Sequence, residues 1–201
     1  MGEVSLHLLL ISILVAYLIG CISPSIMLAK SKGLDIKKEG SGNAGTTNAL
    51  RVMGKKAGII TLIIDIFKGY IATLIGFFIG GSTACMYSAV AVFCGHVWPV
   101  FYKFKGGKGV ATVFGALLCI DTRLALVTLL IVAVGVFVSK RMSVGSILGA
   151  ACFPIVALLF QPGFILPGII IAIAVILKHK ANIIRLINKE EPIMSIFEKK
   201  K

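Results

Sequence analysis

The chain has 201 residues, of which 58% are hydrophobic and only 14% are charged, and its mean hydropathy is +1.00. Soluble domains are about 45–50% apolar and about 25% charged, so this composition excludes a disordered chain and argues against a soluble enzyme. The formal net charge of +13 is typical of the basic cytoplasmic side of a membrane protein, because a nucleic-acid binder of that charge would lack this hydrophobicity.

Seven apolar runs follow one another along the chain, and a helix that crosses a bilayer needs about 20 such residues. We therefore predict an all-α integral membrane protein, a single domain over 1–201 with seven transmembrane helices. The predicted spans are 6–28, 57–79, 83–100, 109–120, 124–138, 144–160 and 164–177.

The distribution of basic residues predicts the orientation of these spans. Segments 30–56, 101–108, 139–143 and the tail from 178 hold nineteen of the 21 lysines and arginines. Basic loops face the cytoplasm, and seven spans place all four segments on that side. We expect the N-terminus outside, the C-terminus inside, and any active site at the cytoplasmic face, since the outer loops are only three or four residues long.

The first inner segment contains three glycines interleaved with hydroxyl and amide residues. Glycines let backbone N–H groups approach an anion closely, and neutral donors with a following arginine suit a phosphate. A flexible loop with helix-capping Ser and Thr is the alternative interpretation. The candidate phosphate ligands here are Ser41, Gly42, Asn43, Thr46, Asn48 and Arg51, the last expected where the helix into the second span begins.

The second inner segment carries Gly-Gly-Lys-Gly at 106–109, where the fourth span begins. A helix N-terminus presents N–H groups and a positive dipole end, so Gly106, Gly107, Lys108 and Gly109 are candidate anion ligands. The alternative is a basic turn on anionic lipid headgroups. His96, just before this segment, is a candidate proton acceptor or donor or a structural residue.

Polar residues near the remaining inner segments complete the candidates. His179, Asn182 and Arg185 share one face of a helix by their spacing, although an amphipathic helix on the inner leaflet would show the same pattern. Asp65 and Lys68 are spaced to pair within the second span, either as a functional group or as an internal brace.

In this order, the clusters resemble the bacterial membrane family that transfers an acyl group from acyl phosphate to glycerol 3-phosphate. The resemblance extends from Ser23 to Leu186, and its most specific parts are the Gly-Ser-Gly-Asn and Phe-Lys-Gly-Gly-Lys-Gly runs in tandem. The matching stretches are Ser23-Pro24-Ser25, 30–35, 40–48, Arg51, Asp65 with Lys68-Gly69, Gly95-His96, 104–112, Ser143, and the His179, Asn182, Ile183, Arg185 and Leu186 pattern.

The resemblance implies an enzyme that acylates the 1-hydroxyl of glycerol 3-phosphate and releases lysophosphatidate and inorganic phosphate, the first step of membrane phospholipid synthesis. It implies catalytic roles for His96, Lys108, Ser143, His179 and Asn182. Further candidates are Lys37, which stands where the family usually has arginine, Asp65, Lys68, Arg185 and Glu191, with Glu190 competing for the family's glutamate position. The candidates for the proton acceptor are His96, His179 and a substrate phosphate.

The resemblance further implies no metal, no cofactor and no nucleic acid. The expected partners are glycerol 3-phosphate, long-chain acyl phosphate and membrane lipids, with the peripheral enzyme that makes acyl phosphate as a candidate. The expected location is the bacterial cytoplasmic membrane. A transporter of a small phosphate-bearing metabolite or anion is the alternative function, and it would need polar residues lining both membrane halves.

Overall fold

A computed structural model describes residues 5–194 and 197, and every regular element in this part of the chain is helical. The prediction of an all-α protein is confirmed over these residues. Three of the predicted inner-face lysines, Lys199, Lys200 and Lys201, lie outside them. The helices are α1 (Leu6–Gly20), α2 (Pro24–Ser31), α3 (Thr46–Met53), α4 (Lys55–Val97), α5 (Val110–Ile120), α6 (Thr122–Ser139), α7 (Met142–Phe160), α8 (Ile165–Lys178) and α9 (Lys180–Ile187).

The contacts divide the chain into two compact units, residues 1–122 and 123–201. In the first unit, α1, α3 and α5 pack against α4. Glycines permit these contacts: a Cβ on Gly95 would meet the Tyr17 carbonyl oxygen, and a Cβ on Gly115 would meet the Ile66 backbone. In membranes, helices pack closely where such small residues let the backbones approach.

The second unit contains the remaining helices and is also held together by small residues and rings. Gly135 and Gly145 face each other across α6 and α7, so that a Cβ on Gly135 would lie 2.8 Å from the Cα of Gly145. The Phe153 ring of α7 packs edge-on against Phe164, with 6.1 Å between centroids, just before α8 begins. Helix α9 begins directly after His179.

The first predicted span, 6–28, lies within one apolar stretch that is divided into two helices. The chain leaves the helix after Gly20 and resumes it at Pro24. Proline lacks an N–H and disfavours helical geometry in the residue before it, and Ser23 is accordingly extended (φ −115°, ψ 94°). The break exposes backbone carbonyls at the end of α1.

The second and third predicted spans form the long helix α4, which is interrupted by non-helical backbone at Gly80 and Gly81. Gly81 has φ +67°, a conformation that favours glycine, and the interruption falls between the two predicted spans. Before α4, the chain turns at Gly54 (φ +84°), which makes α3 a separate helix. Arg51 lies on α3, so its predicted position on the helix into the second span is wrong.

Among the described residues, four candidate spans are long and apolar enough to cross a bilayer: Leu6–Ser31, Lys55–Tyr102, Thr122–Ser139 and Met142–Phe160. A fifth is the pair Pro162–Lys178 and Lys180–Ile187, which is bent by 53°. Val110–Ile120 is apolar but shorter, and Lys55–Tyr102 includes the interruption at Gly80 and Gly81. The seven-helix count, the orientation and the single domain stay predictions.

Candidate active site

The first glycine-rich segment is organised from within by Asn48, which is 1% exposed. Its Oδ1 accepts a hydrogen bond from the Ser41 N–H (2.9 Å), and its Nδ2 donates to the carbonyl oxygens of Ile36 (3.3 Å) and Glu39 (2.9 Å). Both amide hydrogens are thereby used. In this structure the buried Asn48 side chain holds the loop together, and its role as a phosphate ligand stays a prediction.

The other candidates of this segment are nearer the surface. Ser41 and Gly42 are exposed, and Asn43 is half-buried. Gly42 has φ +68°, which turns the chain there, and Thr46 begins α3 with a buried Oγ1. Arg51 is exposed in the last turn of α3. Ser41, Asn43 and Arg51 are therefore candidate side chains of this segment that solvent can reach.

Asp65 and Lys68 belong to a buried ionic cluster, and the pairing that their spacing predicts is confirmed. The two side chains are 2% and 4% exposed and pair at 2.8 Å between Oδ1 and Nζ. The Lys68 ammonium also donates to the Ile22 carbonyl oxygen (2.6 Å), at the break between α1 and α2, and lies 2.9 Å from Nδ1 of His96. A helix C-terminal end favours a cation, so the broken helix supplies a partner for Lys68.

His96 is buried within the first unit and has further polar contacts there. Its Nδ1 lies 3.1 Å from the Thr112 hydroxyl on α5 and 3.3 Å from Asp65 Oδ1. Thr112 and the Ile22 carbonyl were not predicted as site residues. They are 16 and 74 positions from His96, and no local pattern connects groups that the fold brings together.

The Gly-Gly-Lys-Gly turn packs against His96, and two of its backbone amides are hydrogen-bonded within the fold. The Gly106 N–H donates to the Val97 carbonyl (3.1 Å) and the Gly107 N–H to the His96 carbonyl (3.2 Å). These two amides are hydrogen-bonded within the fold, and phosphate binding by Gly106 and Gly107 stays a prediction. A Cβ on Gly107 would meet His96 Nε2 and the Ala44 carbonyl oxygen, so glycine is needed there for close packing.

The end of this turn leads into α5. Gly109 caps the helix with φ +82°, and a Cβ there would meet the Phe93 ring. Lys108, half-buried, immediately precedes it. Lys108 thus lies at the N-terminal end of α5, where the helix dipole adds positive potential to its charge.

Lys37 connects the first segment to the second. Its Nζ donates to the Tyr102 carbonyl oxygen (3.0 Å) and lies 5.7 Å from the centre of the Tyr102 ring, with Lys30 on the same ring at 5.5 Å. Burial lowers the pKa of Lys37, and the nearby Lys105 and Lys30 lower it further against the opposing charge of Asp35. Tyr102 is therefore a structural partner of both lysines.

In the second unit, the candidate residues converge on Glu191, which is 7% exposed. Its Oε1 accepts from the Ser143 hydroxyl (2.7 Å) and the Asn182 amide (2.6 Å), and its Oε2 pairs with Arg185 Nε (2.7 Å). Glu190 is exposed. Of the two acids, Glu191 is therefore the one that contacts the other candidate residues of this unit.

His179 lies beside this cluster, at the junction of α8 and α9, and is 2% exposed. Its Nδ1 is 2.8 Å from the Val175 carbonyl oxygen. Arg141, in the basic segment 139–143, donates from Nε to the Glu191 carbonyl oxygen (2.8 Å). The candidate residues therefore form two groups, one in each unit.

Comparison with known proteins yields one consistent family. A family model described as "Glycerol-3-phosphate acyltransferase" matches residues 10–189. Two relatives of that name come from Thermoanaerobacter pseudethanolicus (42% identical over 177 residues, 87% of this chain and 89% of the relative) and Clostridioides difficile (42% over 188 residues, 88% and 91%).

The fold also matches solved structures. One is the crystal structure of PlsY (YgiH), described as an integral membrane glycerol 3-phosphate acyltransferase, in its glycerol 3-phosphate form. The TM-score is 0.88 at 31% identity, over 94% of this chain and 99% of that chain. The lysophosphatidic acid form of the same protein matches with a TM-score of 0.84 at 33% identity, over the same shares of the two chains.

Proposed function

We propose that this chain, which belongs to the glycerol-3-phosphate acyltransferase family, takes its acyl group from acyl phosphate and attaches it to the 1-hydroxyl of glycerol 3-phosphate. The family membership makes it an acyltransferase and an integral membrane protein, so the transporter alternative is set aside. The proposed products are lysophosphatidate and inorganic phosphate, in the first step of membrane phospholipid synthesis.

The observation that carries the proposal is the meeting of the two glycine-rich segments at His96. A Cβ on Gly107 would touch both His96 Nε2 and the Ala44 carbonyl oxygen, so the two segments are in contact there. Ser41, Asn43 and Arg51 belong to one segment and Lys108 to the other. We assign one substrate phosphate to each segment, because arginine forks and helix N-termini with lysine both suit phosphate oxygens.

The chemistry of the donor fits this placement. Its acyl chain gains about 0.8 kcal/mol per CH₂ buried in lipid, whereas both substrate phosphates belong in water. A site at the inner ends of the helices satisfies both requirements. In the reaction, the 1-hydroxyl oxygen attacks the acyl carbonyl carbon, the bond from that carbon to the phosphate oxygen breaks, and inorganic phosphate leaves.

We propose that the second unit contributes Ser143, His179 and Asn182 to catalysis, with Arg185 and Glu191 as their support. Glu191 accepts from Ser143 and Asn182 and thereby fixes both side chains. The proton of the attacking hydroxyl goes to a histidine or to a substrate phosphate. An acyl phosphate is already activated, so positioning and charge supply much of the catalysis.

The proposed setting is the bacterial cytoplasmic membrane, crossed seven times, with the N-terminus outside and the active site on the cytoplasmic face. The basic inner segments support this orientation. Acyl phosphate is the proposed donor, and the peripheral enzyme that makes it is a candidate partner. No metal and no cofactor take part in the proposed reaction.

The experiment that tests the proposal compares two donors. Purified protein in nanodiscs is incubated with glycerol 3-phosphate and either long-chain acyl phosphate or acyl-CoA at matched concentration, and lysophosphatidate is measured. We expect product from acyl phosphate, and less than about a hundredth of that rate from acyl-CoA, a transition-state difference of at least about 2.7 kcal/mol.

A Lys108→Ala preparation made in the same way is the control for contaminating enzymes. Equal use of acyl-CoA would overturn the proposed donor and leave the acceptor in place. Absence of product from both donors would overturn the proposed reaction.

A further inference from the structure

The Lys68 ammonium has three N–H donors, and three polar atoms lie around it, of which Asp65 Oδ1 forms an ion pair without hydrogen-bond geometry. They are the Ile22 carbonyl oxygen at 2.6 Å, Asp65 Oδ1 at 2.8 Å and His96 Nδ1 at 2.9 Å. A protonated lysine donates only, and it carries three N–H groups. The contact at 2.9 Å is therefore favourable only if Nδ1 of His96 is an acceptor with a lone pair.

This contact determines which nitrogen of His96 carries the hydrogen. In a neutral imidazole one ring nitrogen donates and the other accepts, and the partner of one sets the state of the other. With Nδ1 accepting, the hydrogen lies on Nε2. A second proton on Nδ1 would bring two positive charges within 2.9 Å at a buried site. The Asp65 carboxylate oxygen lies 3.3 Å from Nδ1, but it pairs with Lys68 at 2.8 Å and accepts no hydrogen bond from the imidazole, so we infer that His96 is held neutral.

We propose that Lys68 is a positioning residue that locks His96 in the neutral tautomer with the hydrogen on Nε2, so that His96 donates between the two glycine-rich segments and is not the proton acceptor of the reaction. Nε2 lies at the place where a Cβ on Gly107 would meet the Ala44 carbonyl oxygen. The Nε2–H group of His96 is thus placed where the turn at 106–109 contacts the loop that contains Ala44.

His179 differs from His96 in this respect. Its Nδ1 lies 2.8 Å from the Val175 carbonyl oxygen, which can only accept, so the hydrogen of His179 is on Nδ1 and its Nε2 is the basic nitrogen. The two histidines therefore have opposite tautomers. The inference rests on the proposed function in one respect: it leaves His179 or a substrate phosphate to take the hydroxyl proton.

The first test needs no activity. In protein labelled with ¹⁵N at histidine, ring nitrogen shifts and one-bond N–H couplings are measured at neutral pH, and His96 is assigned by the signal that disappears in His96→Gln. We expect protonated Nε2 and unprotonated Nδ1 for His96, and the reverse for His179. Protonated Nδ1 in His96, or an imidazolium, would overturn the proposal.

The role of Lys68 is tested by the double variant Asp65→Asn/Lys68→Met, which removes both charges together and so leaves no buried ion unpaired. We expect the His96 signals of the folded variant to change to a mixture of the two tautomers. Unchanged His96 signals would show that Lys68 does not set the tautomer. If the variant does not fold, the wild-type spectrum still decides whether His96 has the tautomer that the Lys68 contact requires.

Kinetics provide the second test. Glutamine can donate and accept but cannot serve as a base at neutral pH. Loss of a general base costs about 10²–10⁴-fold. We expect His96→Gln to retain more than a tenth of kcat and to keep the wild-type pH profile, with His96→Ala far lower. A loss above about 100-fold in both variants would make His96 the base and sink the proposal. If the wild type itself shows no acyl transfer, the proposed function fails while the spectroscopic result stands.

Discussion

Glu191 shows how one carboxylate can organise several functional candidates. Burial alone would raise the pKa of Glu191, but the hydrogen bonds from Ser143, Asn182 and Arg185, together with the charge of Arg185, hold that pKa below its ordinary value of 4.5. The ionised form is therefore the one that the fold stabilises. Glu190, its neighbour, is exposed, which provides a matched comparison.

We expect Glu191→Gln to lower the melting temperature by about 4–8 °C, because the Arg185 contact and part of the hydrogen bonding, about 2 kcal/mol, are lost. Glu190→Gln should leave it within about 2 °C. Thermal unfolding in detergent measures both.

The pH dependence has a defined sign. Because the folded pKa of Glu191 lies below the unfolded one, its stabilisation is complete above about pH 4.5 and is lost as the pH falls below that value through the folded pKa. Glu191→Gln should therefore lose less stability than the wild type on acidification. Parallel curves for wild type and variant would contradict this assignment.

Lys108 is the residue on which the proposed phosphate site depends most directly. A charge-assisted hydrogen bond is worth about 1.5–3 kcal/mol, so Lys108→Ala should lower kcat/KM by about 10- to 150-fold with an unchanged melting temperature. Lys105→Ala, an exposed lysine three residues earlier, is the control and should stay within twofold. Equal activity of the two variants would remove Lys108 from the site.

At the scale of helices, the breaks position the chemistry. The interruption between α1 and α2 provides the carbonyl that binds Lys68, and the turn at Gly54 separates α3, with Arg51, from α4. Proline and glycine at these places end the helices, because neither favours a continuing helix. The position of α3 then depends on its contact with the first turn of α4.

Gly58 is that contact, since a Cβ there would lie 2.8 Å from the Leu50 Cβ on α3 and 3.0 Å from its Cα. Gly58→Ala should displace α3 and lower kcat/KM by about tenfold, as about 1.4 kcal/mol of strain would. Lys56→Ala, exposed on the same turn, should have wild-type activity. A Gly58→Ala enzyme with wild-type kcat/KM would show that the position of α3 is not needed.

For the molecule as a whole, the proposed orientation rests on the unequal number of basic residues in the two sets of loops. We expect a cysteine introduced at Lys38, in a cysteine-free background, to react with a membrane-impermeant maleimide only from the cytoplasmic side. A cysteine at Gly163, in an opposite loop, should react only from outside. Labelling of both cysteines from one side would contradict the orientation and the inner-face site together.

The membrane class, the all-helical fold, the glycine-rich segments and the Asp65–Lys68 pair could all be predicted before the fold was known. Composition, basic-loop asymmetry and helical spacing are properties of neighbouring residues, and they can be read without coordinates. The tandem motifs were enough to indicate the family, and the two acids at 190 and 191 were recognised as alternatives.

The contacts of those residues depend on the three-dimensional fold. Asn48 and the amides of Gly106 and Gly107 looked like phosphate ligands, yet they bond within the fold. The break at Pro24 brings the Ile22 carbonyl to Lys68, 46 positions away, and through Lys68 sets the tautomer of His96. Glycine and asparagine serve ligand binding and close packing equally well, so the choice depends on which distant backbone the fold brings within hydrogen-bond distance.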